Sequence, residues 1–523
     1  MNQKKTFGIF LLLLFCSVVS MAQVKKESTP AKVDIQQDSS NTNITKPQKS
    51  ITQGTVTVEG KRINYQAVAG TLILKNKDDK PTCSMFYTAY FKADESDASQ
   101  RPVTLIYNGG PGSASFWLHI GAWGPRRVFL QDTQRILPPY KTVNNDYSLL
   151  DASDLVFIDM PGTGFSQIIT KEKGGEGESK DFYSVGGDGH AFAQFIENFL
   201  STYGRWNSPK YLFGESYGTF RSAVVANILE TEDNIDLNGV ILLSQLLSYN
   251  KSQAASSHPG DILPYVLALR TEAAAAWYHH KISNRPAELE PFLDEVKHFA
   301  ITDYSLALLQ GSLLDSATFN RIAEKLHDYI GIPVNYIRKA NLRIGLARFE
   351  KELLADEGKT TGAYDAMFTG PVMDPLGEYP EIEPTSSTTG SAFVSTFNNY
   401  MRKDLKFGKG MTYLPENYSG VISEFDYRVT PIFGQKFFAN VMPALAEAMI
   451  YNPKLKVMLN MGYFDLVTPF FEGEYEMHHL PIPAELQKNI SFAHYYSGHM
   501  VYLHQTALKD MHDNVAKFIN STH

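Results

Sequence analysis

Ser216 lies in the sequence Gly-Glu-Ser-Tyr-Gly of residues 214–218, a spacing that can present a serine hydroxyl as a nucleophile. A predicted strand, residues 211–214, ends at this turn, and a predicted helix begins at Thr219. The small flanking glycines permit a sharp turn, which lifts the hydroxyl above the sheet edge and points the Tyr217 amide at a developing oxyanion. The string alone also fits a plain tight turn, so its position between strand and helix carries the prediction.

A second oxyanion donor is predicted in the sequence Asn-Gly-Gly-Pro-Gly of residues 108–112, directly after a predicted strand at 103–107. Glycines there let the backbone approach a substrate closely. The run could instead hold a phosphate, but it lacks the Lys and Ser/Thr of a P-loop and the spacing of a dinucleotide motif. We therefore favour the oxyanion role, with Gly110 as the donor.

A serine nucleophile needs an imidazole to take its proton and a carboxylate to orient that imidazole. His499 follows the last predicted strand, and Asp465 follows the strand before it, so both lie where a loop reaches the same sheet edge. The chain order Ser216, Asp465, His499 is the one expected for a serine hydrolase built on a parallel sheet. The other histidines considered for the base are His119, His478, His479 and His494.

The elements that must position these residues are short continuous apolar runs alternating with helical periodicity. The runs lie at residues 103–107, 155–159, 211–214, 240–243, 456–461 and 490–496, and the helical segments lie at 190–203, 219–229, 433–450 and 505–519. This alternation predicts an α/β protein with a mostly parallel sheet and helices on both faces. Alternating segments at residues 55–59, 62–68, 71–74 and 84–91 predict antiparallel strands ahead of it. Residues 54–247 and 431–523 form the predicted core, and residues 248–430 a mainly helical cap inserted between its two parts.

The composition limits the possible functions. The chain has 523 residues, with 48 Lys and Arg against 56 Asp and Glu, for a net charge of −8. Without a dense basic run, nucleic acid is not an expected partner. The cysteines Cys16 and Cys83 allow neither a disulfide scaffold nor a zinc site of paired cysteines. The predicted serine chemistry requires no metal and no cofactor.

The N-terminus predicts export. Lys4 and Lys5 precede an apolar run at 7–19, and small residues at 20–22 suit a cleavage site, so residues 1–22 are a predicted signal peptide. The run is too short for a membrane span. Residues 23–53 are polar and predict a disordered tether. A periplasmic or secreted bacterial protein fits best; lipid attachment at Cys16 is a minor alternative, because the bulky Phe15 precedes that cysteine.

Five sequence blocks, taken together, resemble the serine carboxypeptidase family of α/β-hydrolase peptidases, in a bacterial-type member. They are residues 108–112, 159–166, 214–218, 462–465 and 498–499, and the similarity runs from about Tyr107 to His499. The resemblance implies an α/β-hydrolase fold and release of C-terminal residues from peptides through an acyl-enzyme. It also implies that Asn108, Gly109 and Glu215 bind the terminal carboxylate of the substrate.

A substrate carboxylate beside Glu215 is a like-charge pair that is tolerated when the two groups share a proton, so the resemblance predicts activity that favours acid pH. The chain departs from the family near Ala122, where a second Glu that helps the carboxylate site in well-known members has no counterpart. An esterase or acyltransferase with the same three residues is therefore the alternative function. A secreted binding protein that has lost catalysis is less favoured, because Ser216, Asp465 and His499 are all present.

Overall fold

The computed structural model describes residues 44–249, 259–429 and 437–522, apart from residues 94 and 96. The predicted signal peptide, Cys16 and most of the predicted tether lie outside the described residues. The strands and helices below are those of the described part of the chain.

Most described strands belong to one large sheet, and the rest form three two-stranded sheets. The strands are β1 (Lys49–Val58), β2 (Lys61–Lys75), β3 (Pro81–Lys92), β4 (Val103–Tyr107), β5 (Arg126–Val128), β6 (Thr142–Asn144), β7 (Asp154–Ile158), β8 (Gln167–Ile168), β9 (Lys210–Glu215), β10 (Gly239–Leu243), β11 (Lys359–Thr361), β12 (Thr369–Pro371), β13 (Arg428–Val429), β14 (Phe437–Phe438), β15 (Lys456–Gly462) and β16 (Ile490–Tyr495).

The large sheet has the order β1-β2-β3-β7-β4-β9-β10-β15-β16, with β8 paired to β3. Pairing is antiparallel from β1 to β7 and parallel from β7 to β16. The mostly parallel sheet and the antiparallel N-terminal strands are thus confirmed. Because β9, β10, β15 and β16 run in the same direction, the residues that follow them meet at one edge of the sheet.

Helices cover both faces of this sheet. The helices are α1 (Val185–Tyr203), α2 (Tyr217–Thr231), α3 (Leu263–Tyr278), α4 (Leu289–Phe299), α5 (Ser305–Gln310), α6 (Ser316–Ile330), α7 (Val334–Lys339), α8 (Leu346–Glu352), α9 (Pro384–Lys403), α10 (Tyr418–Val421), α11 (Met442–Tyr451), α12 (Phe470–His478) and α13 (Gln505–Ser521). The segment predicted as the cap contains α3 to α10, along with the β11–β12 hairpin.

Successive residues of one central strand pack into different cores. Leu105 and Tyr107 of β4 share a hydrophobic cluster with Phe192 of α1. Ile106, between them, belongs to a second cluster with Leu508 of α13. Both faces of the strand are therefore buried, which explains why its sequence is a continuous apolar run rather than an alternating one.

Several sequence-based boundaries were wrong. Strand β1 begins at Lys49 and pairs with β2 along its whole length, so residues 49–53 belong to the sheet and not to the tether. Its polar residues suit an edge strand held mainly by backbone hydrogen bonds, which composition does not reveal. The two strands predicted at 62–68 and 71–74 are one strand, β2, that continues through Gly70. The helix predicted from residue 433 begins at Met442.

Candidate active site

Ser216 occupies a strained turn between β9 and α2. Its backbone has φ 59° and ψ −129°, a region that non-glycine residues rarely adopt. A methyl group at Gly214 would lie 2.1 Å from the Gly218 carbonyl oxygen, so glycine is required for the tight approach of strand and helix. The Ser216 amide donates to the Leu243 carbonyl (2.9 Å), which fixes the turn to the end of β10. The side chain is half-buried, as a reactive hydroxyl facing a substrate would be.

Asp465 and His499 are paired at the ends of neighbouring strands. Asp465 follows β15, His499 follows β16, and the two strands are parallel with Gly462 opposite Tyr495. The Asp465 Oδ2 to His499 Nδ1 distance is 2.8 Å, and both side chains are buried. Ser244, at the end of β10, donates from Oγ to the His499 carbonyl (2.6 Å). The end of β10 therefore contacts both the Ser216 turn and the His499 loop.

Thr468 completes the hydrogen bonding of Asp465 and was missed by sequence reasoning. Its hydroxyl donates to Asp465 Oδ2 (2.6 Å), and the amides of Val467 and Thr468 donate to Oδ1 (2.8 and 2.9 Å). An Asp side chain that accepts from the amides two and three residues later is typical of an Asx turn. The sequence Asp-Leu-Val-Thr of residues 465–468 therefore did contain a signal for this turn. These donors hold the carboxylate in one orientation toward His499.

Charges around His499 favour its protonated form. Burial alone would lower the pKa of His499, but the Asp465 carboxylate beside it, and Glu215 beyond, outweigh burial and raise that pKa. A raised imidazole pKa strengthens a general base that takes a proton from a hydroxyl.

The other histidines considered for the base are occupied elsewhere. His119 is stacked on Phe157, and burial lowers its pKa to about 3. His494 bonds Glu474 through Nε2 (2.9 Å). His478 and His479 stack on Phe492 and Tyr475.

The glycine run after β4 lies directly against the Ser216 turn. A methyl group at Gly109 would be 2.5 Å from the Tyr217 amide nitrogen and 2.7 Å from the Glu215 carbonyl oxygen. Gly110 has φ 107°, which a side chain would strain. The predicted oxyanion donors Gly110 and Tyr217 thus come from two adjoining segments.

Glu215 and Asn108 are hydrogen-bonded partners beneath this turn. The Asn108 Nδ2 donates to Glu215 Oε2 (2.9 Å), and both side chains are buried. Asn108 is fixed in turn, since its Oδ1 accepts from the Leu118 amide (3.1 Å) and its carbonyl accepts from Arg221 Nη1 (2.8 Å). Arg221 also pairs with Asp188 at 2.7 Å. Its contact with Asn108 was not predicted, because no local sequence pattern connects helix α2 with the end of strand β4.

Burial raises the pKa of Glu215 to about 7, although His499, Tyr502 and Asn108 each act to lower it. The carboxyl therefore changes its protonation state near neutral pH. A group of this kind beside a nucleophile is typical of a functional site.

The described residues contain neither a metal-binding cluster nor a membrane-spanning helix. They contain no cluster of three or more His, Cys, Asp or Glu side chains that could hold a metal ion. In the same residues, no helix combines the length and the apolar character that crossing a membrane requires.

The family comparison agrees with these features. A family model described as serine carboxypeptidase matches residues 59–290, which include the glycine run and the Ser216 turn. The resemblance of this chain to the serine carboxypeptidase family is confirmed. Asp465 and His499 lie beyond the matched residues. Their proposed roles depend on their contact with each other at the ends of β15 and β16.

The curated relatives match over part of their length. The chain is 29% identical to the Carboxypeptidase Y homolog of Arthroderma benhamiae over 164 residues, which are 31% of this chain and 29% of that protein. It is also 29% identical to the Pheromone-processing carboxypeptidase KEX1 of Saccharomyces cerevisiae over 158 residues, 29% of this chain and 21% of that protein. The alignments thus span less than a third of either relative.

The crystal structure of KEX1(delta)P, a prohormone-processing carboxypeptidase from Saccharomyces cerevisiae, superposes with a TM-score of 0.53 at 16% identity. The match covers 87% of this chain and 92% of that one. It confirms the α/β-hydrolase fold predicted from the sequence.

Proposed function

We propose that this chain is a serine carboxypeptidase that releases residues one at a time from the free C-terminus of peptides. Ser216 attacks the last peptide carbonyl, and His499 takes its proton while Asp465 holds the imidazole. The Gly110 and Tyr217 amides stabilise the oxyanion. The C–N bond then breaks, His499 returns the proton to the leaving amine, and water hydrolyses the Ser216 ester by the same steps.

The observation that carries this proposal is the buried Glu215–Asn108 pair immediately before the nucleophile. An esterase has no need for a carboxyl group there. A protonated Glu215 can donate to the terminal carboxylate of a peptide, and Asn108, together with the backbone at Gly109, supplies further donors. Such a site recognises the one group that distinguishes a C-terminal residue from an internal one.

The pKa of Glu215 predicts the pH preference of the reaction. Below about pH 7 the carboxyl is protonated and can share its proton with the substrate carboxylate. Above that pH both groups carry a negative charge and repel each other. Activity on free-acid peptides should therefore be greater on the acid side of neutrality, limited at lower pH by protonation of His499.

The test compares a peptide that has a free C-terminal carboxylate with the same peptide amidated at its C-terminus. Mass spectrometry of the free-acid peptide over time should show stepwise loss of residues from its C-terminus. This result identifies both the reaction and the preferred side chains. The amidated peptide should be cleaved much more slowly. Equal rates, or fast hydrolysis of simple esters only, would favour the esterase or acyltransferase alternative.

We further propose that the protein is exported to the periplasm or secreted, on the basis of residues 1–22. N-terminal sequencing of the protein purified from a bacterial cell envelope or medium should begin at Gln23. A chain that begins at Met1 in the cytoplasmic fraction would contradict export, and a lipid-modified Cys16 would support the anchored form instead.

A further inference from the structure

Tyr502 contacts the proposed carboxylate site, although the mechanism above gives it no role. Its hydroxyl lies 3.0 Å from Glu215 Oε2 and 3.2 Å from Oε1, and the side chain is 2% exposed. Tyr502 is carried by a short 3-10 turn, Val501–Leu503, that directly follows the His499 loop. One segment therefore delivers both the predicted base and a partner for Glu215.

The ring of Tyr502 packs against Gly121, the residue before Ala122. A methyl group at Gly121 would lie 2.6 Å from Tyr502 Cδ2, so the ring packs tightly against the Leu118–Trp123 turn. No acid is present at Ala122. The phenol spans from this turn to Glu215, and its hydroxyl contacts both oxygens of that carboxyl.

The Tyr502 hydroxyl differs chemically from a second carboxyl. Burial, and then the nearby Glu215, raise its pKa well above the ordinary value, so it remains a neutral hydrogen-bond donor at every pH relevant to activity. It can orient Glu215, but it cannot supply a second titrating proton to a substrate carboxylate.

We propose that Tyr502 is a positioning residue of the carboxylate site, where its hydroxyl holds the Glu215 carboxyl beside Asn108 and so sets the affinity for a free C-terminus. This inference rests on the proposed function. The groups that surround Glu215 come from several segments: Asn108 after β4, Tyr364 and Tyr418 from the predicted cap, Asp465 after β15, and His499 and Tyr502 after β16.

The variant Tyr502→Phe keeps the ring and removes only the hydroxyl. At about pH 5, where Glu215 is protonated in both proteins, the KM for a free-acid peptide should rise about tenfold, the effect of losing one buried hydrogen bond. The kcat for that peptide, and hydrolysis of an ester that lacks a carboxylate, should change little. The pH above which KM rises should also move upward, because the lost donor had lowered the Glu215 pKa.

Tyr211→Phe is the matched control, since Tyr211 is a buried tyrosine of β9 whose hydroxyl contacts Thr522 at 2.8 Å. The free-acid KM of this variant should equal that of the wild type. In a Glu215→Gln background, adding Tyr502→Phe should not change the pH dependence of KM, because the titrating partner is gone. This cycle also detects a folding defect, which would add equally in both backgrounds.

The outcomes separate the two proposals. If the wild type prefers free-acid peptides but Tyr502→Phe shows an unchanged KM and pH profile, the role of Tyr502 is overturned and the carboxypeptidase function stands. Equal losses on ester and free-acid substrates would also overturn it, because a packing role predicts that result. If the wild type shows no preference for free-acid peptides, both proposals fall.

Discussion

Ser216 has a backbone conformation that costs free energy, because φ 59° brings the Cβ of a non-glycine residue close to its own backbone. The strain holds its side chain half-exposed at the end of a buried strand. Replacing the hydroxyl removes the proposed nucleophile and leaves the backbone requirement the same. A substitution at Ser216 can therefore remove the hydroxyl without changing the local fold.

Ser216→Ala should lower kcat/KM on a free-acid peptide by about 10⁴- to 10⁶-fold with a melting temperature close to that of the wild type. A fluorophosphonate probe should label the wild type at Ser216 and should not label this variant. Ser423→Ala, at an exposed serine, is the control and should retain full activity and labelling. Labelling of Ser216→Ala at another serine would show that the nucleophile lies elsewhere.

Glu215→Gln should flatten the pH dependence of KM for free-acid peptides across about pH 7, because a glutamine amide donates to a carboxylate at every pH. Ester hydrolysis, which needs no carboxylate site, should be largely spared. KM and kcat measured from pH 5 to 8 on both substrates check this result.

Glu230→Gln provides the matched control for that variant. Glu230 is also buried, but it lies near the C-terminal end of helix α2 and accepts from the Leu237 amide (2.8 Å) away from the Ser216 turn. Its pH profile should match that of the wild type. If Glu215→Gln kept the wild-type profile too, another group would control the acid preference.

At the scale of elements, the His499 loop is held by the predicted cap as well as by the sheet. The His499 amide donates to the Tyr364 carbonyl (2.6 Å), and the Gly498 amide donates to Asp365 Oδ2 (3.1 Å). His504 Nε2 lies 2.7 Å from the same Asp365 oxygen. This buried cluster sets the position of the imidazole relative to β16.

Gly498→Ala should displace that loop, because the added methyl would lie 2.3 Å from the Tyr364 carbonyl oxygen. A shift of the imidazole by about 1 Å can reduce turnover about 10²-fold, so we expect kcat to fall more than KM rises. Steady-state kinetics and a thermal melt check this variant.

Gly390→Ala is its control, since a methyl group there meets nothing within 4 Å and lies in helix α9. It should keep full activity and gain a little stability from the higher helix propensity of alanine. Normal kinetics for Gly498→Ala would mean that the loop tolerates movement and that its contacts with residues 364–365 are not needed for activity.

At the scale of the whole molecule, the features that could be predicted from the sequence are those that leave a local pattern of residues. Strands β4 and β10 were predicted correctly because burial on both faces leaves continuous apolar runs, and Ser216, Asp465 and His499 were predicted as site residues because each follows such a strand. Tyr502 and Arg221 were not found, because their partners lie 287 and 113 residues away and no local pattern records those contacts. The start of β1 was missed because its stability comes from pairing with β2.

Buried acids distributed through the molecule make its stability depend on pH. Burial raises the pKa of Asp159 and of Glu215 to about 7, and that of Glu272 to about 8. The folded chain therefore binds more protons than the unfolded chain between the ordinary pKa of each acid and its raised value. Each group lowers the free energy of unfolding as the pH rises through that interval.

Glu474 and His119 act in the opposite direction, but only at lower pH. Burial alone would raise the pKa of Glu474, yet the hydrogen bond with His494 and the charge of Arg270 outweigh it and lower that pKa to about 2. The stabilisation that Glu474 provides is complete above its ordinary value of 4.5. His119 has a pKa lowered to about 3, and it likewise causes no further change in the free energy of unfolding above pH 6.5.

Between pH 6.5 and about 8 the cited acid shifts therefore all lower stability as the pH rises. Glu272 is the clearest case, since its Oε1 has no hydrogen-bond partner in the described part of the chain and burial is the cause of its shift. Over this window its ionisation should cost about 1 to 2 kcal/mol. Glu272→Gln should remove that part of the slope in urea unfolding measured at both pH values, whereas Glu474→Gln should leave the slope unchanged. An equally steep slope in Glu272→Gln would assign the loss of stability to other groups.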